Sequence, residues 1–185
     1  MTQTVDGPAP ATGASLPPAP FEVPLAPADR CTVLPTPVGE FLMTGNGEQL
    51  LGTFFADDAG IAPACPLPRD DAAFADARRQ LHEYFAGERQ SFDLRLAPTG
   101  PLFAMRVWAA LTQIPYGETA SYGDIAERIG RPGAARAVGS ANHVNPLPIV
   151  VPCHRVIGAD GSMVGFGGGM ERKHILLGVE AQTLF

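Results

Sequence analysis

Residues 121–143 read SYGDIAERIGRPGAARAVGSANH, a pattern typical of two short helices joined by a turn. Ser121 followed by Asp124 resembles a capping box, which marks the start of the first helix. The tripeptide Arg131-Pro132-Gly133 ends that helix, because proline and glycine interrupt helical hydrogen bonding. A second helix over residues 134–143 completes the outline of a helix-turn-helix unit.

The predicted helix over residues 134–143 has an unusually small surface, because alanine, glycine and serine dominate it. Its only long basic side chain is Arg136. Such a helix can enter the minor groove of DNA, which is only about 6 Å wide. The alternative is that the small residues let it pack closely against another helix. If it binds DNA, we expect the contacts to come from Ala135, Arg136, Gly139 and Ser140.

Cys153 and His154 are adjacent in the tetrapeptide PCHR at residues 152–155. A thiol of ordinary pKa is only a few per cent thiolate at neutral pH, so a nucleophilic cysteine needs a base nearby. His154 is the candidate base, and a carboxylate behind its ring would fix the tautomer. The sequence predicts a last helix over residues 171–182, and Glu180 on it is the candidate for that carboxylate. The alternative is an inert buried thiol beside an unrelated histidine.

The rest of the chain predicts a mixed α+β protein. Residues 31–55 are rich in β-forming residues and include a hairpin turn at 45–47. Helical spacing of apolar residues follows at 72–86, a further strand is expected at 91–96, and turn residues at 98–101 mark a boundary. The predicted division is a disordered Pro/Ala-rich tail at 1–27, an N-terminal α/β domain at 28–98 and a C-terminal DNA-binding domain at 99–185.

The net charge of −6 is unevenly distributed along the 185 residues. Residues 1–94 carry a net charge of −8 and residues 95–185 a net charge of +2, so any DNA contact belongs to the C-terminal half. No apolar run reaches the length of a membrane helix, and no secretory signal is recognisable, which indicates a cytoplasmic protein. Three cysteines are too few for a disulfide framework.

The stretches RAVGSANHVNPLPIVVPCHRVIG (136–158) and GFGGGMERKHILLGVE (165–180) resemble the O6-alkylguanine-DNA alkyltransferase family. The resemblance is dense from about residue 107 to residue 180 and faint from 31 to 96, and PCHR is its most specific motif. It implies a small N-terminal domain of ribonuclease-H-like topology. It also implies a C-terminal helix-turn-helix domain, winged-helix-like in form, that carries the reactive cysteine.

The activity implied by the resemblance is DNA repair by direct reversal of damage. The alkyl group of O6-alkylguanine, and also of O4-alkylthymine, passes irreversibly to Cys153 after the base is flipped out from the minor groove. Each molecule acts once, as a suicide enzyme. The implied partner is double-stranded DNA containing O6-alkylguanine, no cofactor is expected, and the protein is expected to be a monomer without DNA.

The resemblance also assigns roles to individual residues. His154 takes the proton of Cys153 through a water molecule, and Glu180 holds the imidazole. Asn145 braces the turn that follows the recognition helix. Tyr122 helps to rotate the nucleotide and donates towards N3 of guanine.

Other implied roles concern the space around the base. Arg136 enters the base stack in place of the flipped nucleotide, and Lys173 supports a loop. Backbone groups of Cys153, Val156 and Gly167 hydrogen-bond the base. Two departures from the family pattern lie here: Phe166 replaces a tyrosine of many members and Gly167 a serine of some, which removes two hydroxyls and leaves the range of alkyl groups open.

Two other functions compete with this interpretation. A damage sensor that binds alkylated guanine without reacting would not need Cys153. A cysteine hydrolase would need an oxyanion hole and a histidine distant in sequence. A zinc site is not expected, because Cys31, Cys65 and His82 lack plausible ligand spacing.

Overall fold

Three antiparallel strands form the sheet of the N-terminal domain in the computed structural model, which describes residues 20–56 and 65–182. They are β1 (Arg30–Thr36), β2 (Gly39–Gly45) and β3 (Leu50–Phe55), with β2 in the centre. The predicted hairpin between β2 and β3 is confirmed, with an irregularity in the register at Thr44 and Gly45. The predicted tail up to residue 19 lies outside the described residues.

Helix α1 (Ala75–Phe85) packs beside this sheet and confirms the predicted helix. Its buried residues Ala77, Leu81 and Tyr84 follow the helical repeat, so that one face of the helix meets the core.

The strand predicted at residues 91–96 is wrong. The side chains alternate between exposed and covered, but within this segment only Leu96 forms bridges, to Leu50 and to Phe21. At Asp93 the backbone N–H donates to Gln80 Oε1 instead of to a neighbouring strand.

Residues 20–27, which the sequence analysis assigned to the tail, contact the N-terminal domain. The backbone N–H of Glu22 donates to the carbonyl of Leu96 at 2.8 Å. The N–H of Leu25 donates to Gln49 Oε1 at 2.7 Å. These bonds hold residues 20–27 along the N-terminal domain. The alanine and proline content of the segment could not predict them, because the bonding partners are distant in sequence.

The C-terminal domain is mostly helical. It contains α2 (Leu102–Leu111), α3 (Tyr122–Arg128), α4 (Ala135–His143) and α5 (Met170–Gln182), together with the short parallel pair β4 (Ala120–Ser121) and β5 (Val156–Ile157). Helices α3 and α4 form the predicted helix-turn-helix unit. The capping box is present: the Asp124 N–H donates to Ser121 Oγ, and the Ser121 N–H donates to Asp124 Oδ2.

The buried face of α4 holds the helix against the domain. Val138, Ala141 and Asn142 are buried, and Trp108 on α2 donates from Nε1 to the carbonyl of Ala141 at 2.9 Å. The opposite face, which includes Arg136, stays exposed. None of the helices in residues 20–56 and 65–182 has the length and apolar character that crossing a bilayer requires.

Candidate functional site

Cys153 begins a short 3-10 turn (Cys153–Arg155) and is only 3% exposed. Its N–H donates to the carbonyl of Val151 at 2.8 Å, and its own carbonyl accepts from Asn142 Nδ2 at 3.3 Å. Burial raises the pKa of the thiol to about 11, although a hydrogen bond with Asn145 and the charge of Lys173 act in the opposite direction. The resting group is therefore a protonated thiol that needs a base.

His154 is fully buried and lies against Glu180, with 2.8 Å between His154 Nε2 and Glu180 Oε1. Burial lowers the pKa of the imidazole despite this carboxylate, so the ring is neutral at pH 7. A neutral ring that donates from Nε2 keeps its lone pair on Nδ1. Within the described residues this Nδ1 atom has no hydrogen-bond partner, and it is therefore the atom that can accept a proton.

Glu180 is fully buried and ionised. Burial alone would raise its pKa, but the hydrogen bond from His154 and the hydrogen bonds and charge of Arg155 hold it down at about 2. Arg155 donates to the carboxylate from Nε and Nη2 at 3.0–3.1 Å. The Gly117 N–H (3.1 Å) and the Tyr84 hydroxyl (2.7 Å) donate to it as well.

A tight turn between α4 and Cys153 places the thiol. Asn145 closes it from both sides: its Nδ2 donates to the carbonyl of Val151 at 2.9 Å, and its Oδ1 accepts from the N–H of Leu147 at 3.0 Å. Ile149, at the tip, has a φ of +73°, an unfavourable value for a β-branched residue. The structure thus places Asn145 where it braces this turn.

A groove of about 810 Å³ runs along α4. It is open to solvent and mainly apolar, and the exposed Arg136 side chain lies beside it. The residues that line the groove are Tyr122, Ala135, Arg136, Gly139, Ser140, Asn142, His143, Val144, Val164, Gly165 and Gly167. All four residues predicted to contact DNA through this helix are therefore on one surface.

A smaller cavity of about 160 Å³ contains Cys153. Asn142, His143 and Gly167 line both this cavity and the groove, so the thiol lies directly behind the groove. Phe166 forms part of the cavity wall, where its ring packs edge-on against Phe55 with 6.0 Å between the ring centroids.

The loop between β5 and α5 is held by two side chains that the sequence analysis singled out. Lys173 is fully buried and donates from Nζ to the carbonyls of Val156 (2.5 Å) and Val164 (2.8 Å). Burial lowers the pKa of this amine to about 8. The Tyr122 hydroxyl lies 3.2 Å from the Val164 carbonyl and 3.1 Å from that of Gly165, and burial raises its pKa.

The structure therefore gathers the predicted residues into two connected places: the buried cluster around Cys153 and the groove along α4. Sequence reasoning missed several contributors, namely Tyr84, Arg155, Asn142 and Thr53, the last of which lines the cavity of Cys153. Two of them carried a usable signal: Asn142 is a polar residue at a buried position of an otherwise apolar helix face, and Arg155 belongs to the PCHR tetrapeptide. Tyr84 and Thr53 act on the site from far away in sequence.

The fold and site define a class of protein in which a buried cysteine, with a histidine and a glutamate behind it, faces a groove on a helix-turn-helix domain. Two family models match the chain: "6-O-methylguanine DNA methyltransferase, ribonuclease-like domain" over residues 30–98, and the "DNA binding domain" of the same family over residues 102–182. The chain belongs to the 6-O-methylguanine DNA methyltransferase family. Its activity is DNA repair by direct reversal, with alkyl transfer to a protein cysteine.

Close relatives agree with this assignment. The methylated-DNA–protein-cysteine methyltransferase of Mycobacterium leprae is 48% identical over 151 residues, which cover 82% of this chain and 92% of the relative. That of Methanosarcina acetivorans is 46% identical over 149 residues, 80% of this chain and 96% of the relative. The crystal structure of Mycobacterium tuberculosis OGT in complex with DNA matches with a TM-score of 0.78 and 46% identity, over 83% of this chain and 94% of that one.

Proposed function

We propose that Cys153 is the alkyl acceptor and that it reacts with O6-alkylguanine flipped out of double-stranded DNA. The observation that carries this proposal is the position of the Cys153 thiol. It is buried next in sequence to a neutral histidine whose partner is an ionised glutamate, and its cavity adjoins the groove along α4.

The chemistry is a single displacement. The Cys153 proton moves through a water molecule to His154 Nδ1, and Glu180 stabilises the imidazolium that forms. Sγ attacks the alkyl carbon, the bond between that carbon and O6 breaks, and its electron pair leaves with guanine. The departing guanine takes up one proton, and the imidazolium of His154 returns one to solvent, so that the products are a restored base, S-alkylcysteine and a neutral histidine.

Helix α4 delivers the flipped base to Cys153. Its small residues allow close approach to the minor groove, and Arg136 fills the gap in the base stack, which offsets part of the few kcal/mol that flipping costs. Tyr122 donates to the carbonyls of Val164 and Gly165 in the structure. To donate towards N3 of guanine, it exchanges these bonds for one to the base.

Each molecule reacts once. A thioether is a poor electrophile at carbon compared with the O6-alkyl group, so the acceptor is not regenerated. A monomer suffices without DNA, because Cys153, His154, Glu180 and the groove residues all belong to one chain.

The substrate range follows from the cavity wall. Phe166 and Gly167 provide no hydroxyl, so discrimination among bases rests on backbone groups of Cys153, Val156 and Gly167 and on Tyr122. We therefore include O4-alkylthymine as a second substrate. Competition between duplexes carrying either lesion measures the preference.

The test of the proposal is single-turnover transfer of a labelled methyl group from a duplex containing one O6-methylguanine. We expect label on the protein to saturate at one methyl per chain. Cys153→Ser should accept none, while Cys31→Ser, which alters another buried thiol, should behave as the wild type. Tight binding of the lesion without methyl transfer would favour a non-reacting damage sensor. Continuing turnover beyond one event per chain would favour a cysteine hydrolase.

A further inference from the structure

The turn that places Cys153 is attached to the N-terminal domain at one residue of β3. Thr53 is 1% exposed and makes two hydrogen bonds to this turn. Its backbone N–H donates to the carbonyl of Pro146 at 2.8 Å, and its Oγ1 donates to the carbonyl of Pro148 at 3.1 Å. Thr53 also lines the cavity that contains Cys153.

The bond to Pro148 acts on the strained part of the turn. The Pro148 carbonyl belongs to the peptide that precedes Ile149, whose φ is +73°. Such a conformation persists only when surrounding contacts fix it. Asn145 fixes the turn from within, through Val151 and Leu147, and Thr53 fixes it from the other domain.

The position of the thiol depends on this turn through one further bond. The Cys153 N–H donates to the carbonyl of Val151, the same carbonyl that accepts from Asn145. A rotation of the peptide between Pro148 and Ile149 would therefore move the backbone of Cys153 relative to the α4 groove.

We infer that Thr53 is a positioning residue for alkyl transfer: its hydroxyl holds the Pro148–Ile149 peptide so that Cys153 meets a base delivered through the groove. This inference rests on the proposed function of Cys153. It gives the N-terminal domain a direct part in the reactivity of the thiol, although the thiol and its base belong to the other domain.

Thr53→Val tests the inference, because valine has nearly the same shape and suits a strand but cannot donate. The rate constant of transfer at saturating protein should fall about tenfold or more, since small displacements of a reacting group cost that much. The dissociation constant for the lesion duplex should stay within about twofold, because Thr53 does not line the groove.

Thr53→Ser keeps the hydroxyl and removes only the methyl group, so it should retain most of the transfer rate. If Thr53 acted only through packing of its methyl group, the serine variant would instead lose the rate. Thr44→Val is the matched control: Thr44 lies in the same sheet, and its Oγ1 donates to the carbonyl of Gly52 rather than to the turn. Thr53→Ala serves as a second hydroxyl-free variant if the valine variant folds poorly.

A wild-type rate in either folded hydroxyl-free variant would overturn the inference, and so would equal losses in Thr53→Ser and Thr53→Val. Failure of the proposed function has a different outcome, in which the wild-type protein itself gains no alkyl group at Cys153.

Discussion

Glu180 shows how a single buried residue depends on its partners. It is fully buried and yet ionised, because His154 and Arg155 surround its carboxylate. Removing the charge of one member of such a cluster leaves the others without compensation, which is costly in a protein interior. The same carboxylate fixes the tautomer of His154, so stability and reactivity depend on one group.

We therefore expect Glu180→Gln to lower the free energy of unfolding by about 3–5 kcal/mol and to slow alkyl transfer. Urea unfolding and single-turnover transfer measure the two effects. Asp160→Asn is the control, since Asp160 is exposed and bonds only within its own turn. Wild-type stability in Glu180→Gln would show that the charge of Glu180 does not contribute to the free energy of unfolding.

The depressed pKa of Glu180 also predicts a pH dependence. The pKa of Glu180 is about 2 in the folded protein and 4.5 for an ordinary glutamate, so folding favours the ionised form. This contribution to stability is fully present above pH 4.5 and is lost as the pH falls towards 2. The difference in unfolding free energy between wild type and Glu180→Gln should shrink over that range. A constant difference down to pH 2 would contradict the assignment.

At the level of elements, the helix-turn-helix unit could be predicted because its signals are local. The capping residues Ser121 and Asp124 and the breaker Pro132 lie within a dozen residues of one another. The segment 91–96 was predicted wrongly because the alternation of exposed and covered side chains is a property of one segment alone. A β-strand also needs a neighbouring strand to which its backbone can hydrogen-bond along its length. Among the described residues such partners exist only for Leu96, which bridges Leu50 and Phe21.

The capping box of α3 should make a measurable contribution to the free energy of unfolding. Ser121→Ala removes the acceptor for the Asp124 N–H, and we expect a loss of about 1 kcal/mol in the free energy of unfolding. Ser121→Asp keeps an acceptor oxygen and should retain most of the stability. Thermal denaturation of the two variants distinguishes them, and equal melting temperatures would argue against the cap.

A substitution on the exposed face of helix α4 should affect DNA binding and base flipping but not the alkyl-transfer step itself. Arg136→Ala should slow transfer from duplex DNA and reduce the slope of log affinity against log salt by about one if Arg136 also neutralises a phosphate. Transfer from free O6-benzylguanine, which needs no flipping, should be unchanged. Arg106→Ala, on the exposed side of α2, is the control. Equal losses on duplex and free base would contradict the role of Arg136.

For the whole molecule, sequence reasoning predicted the two domains and named most residues of the candidate site, but it did not predict the contacts between the domains. His154 and Glu180 could be named because motif and family resemblance point to them. Tyr84 and Thr53 could not, since they reach the site from 96 and 95 residues away along the chain. Contacts at such separation leave no periodic or local pattern.

The domain interface is closely packed at Gly168. A Cβ atom on this residue would lie within 3.0 Å of ring carbons of both Phe55, from β3, and Phe166, from the cavity wall. Gly168→Ala should therefore destabilise the protein by about 1–3 kcal/mol and perturb the cavity. Gly178→Ala, where a Cβ meets open space on α5, should instead stabilise it by up to about 1 kcal/mol. Chemical denaturation compares the two.

Alkyl transfer to Cys153 can be measured directly as the mass of the intact protein after reaction with an equimolar duplex containing one O6-methylguanine, followed by peptide mapping. We predict a gain of one methyl group, located on Cys153 and absent from Cys153→Ser. A methyl group on Cys31 or Cys65, or repair of the duplex with no change in protein mass, would show that Cys153 is not the acceptor.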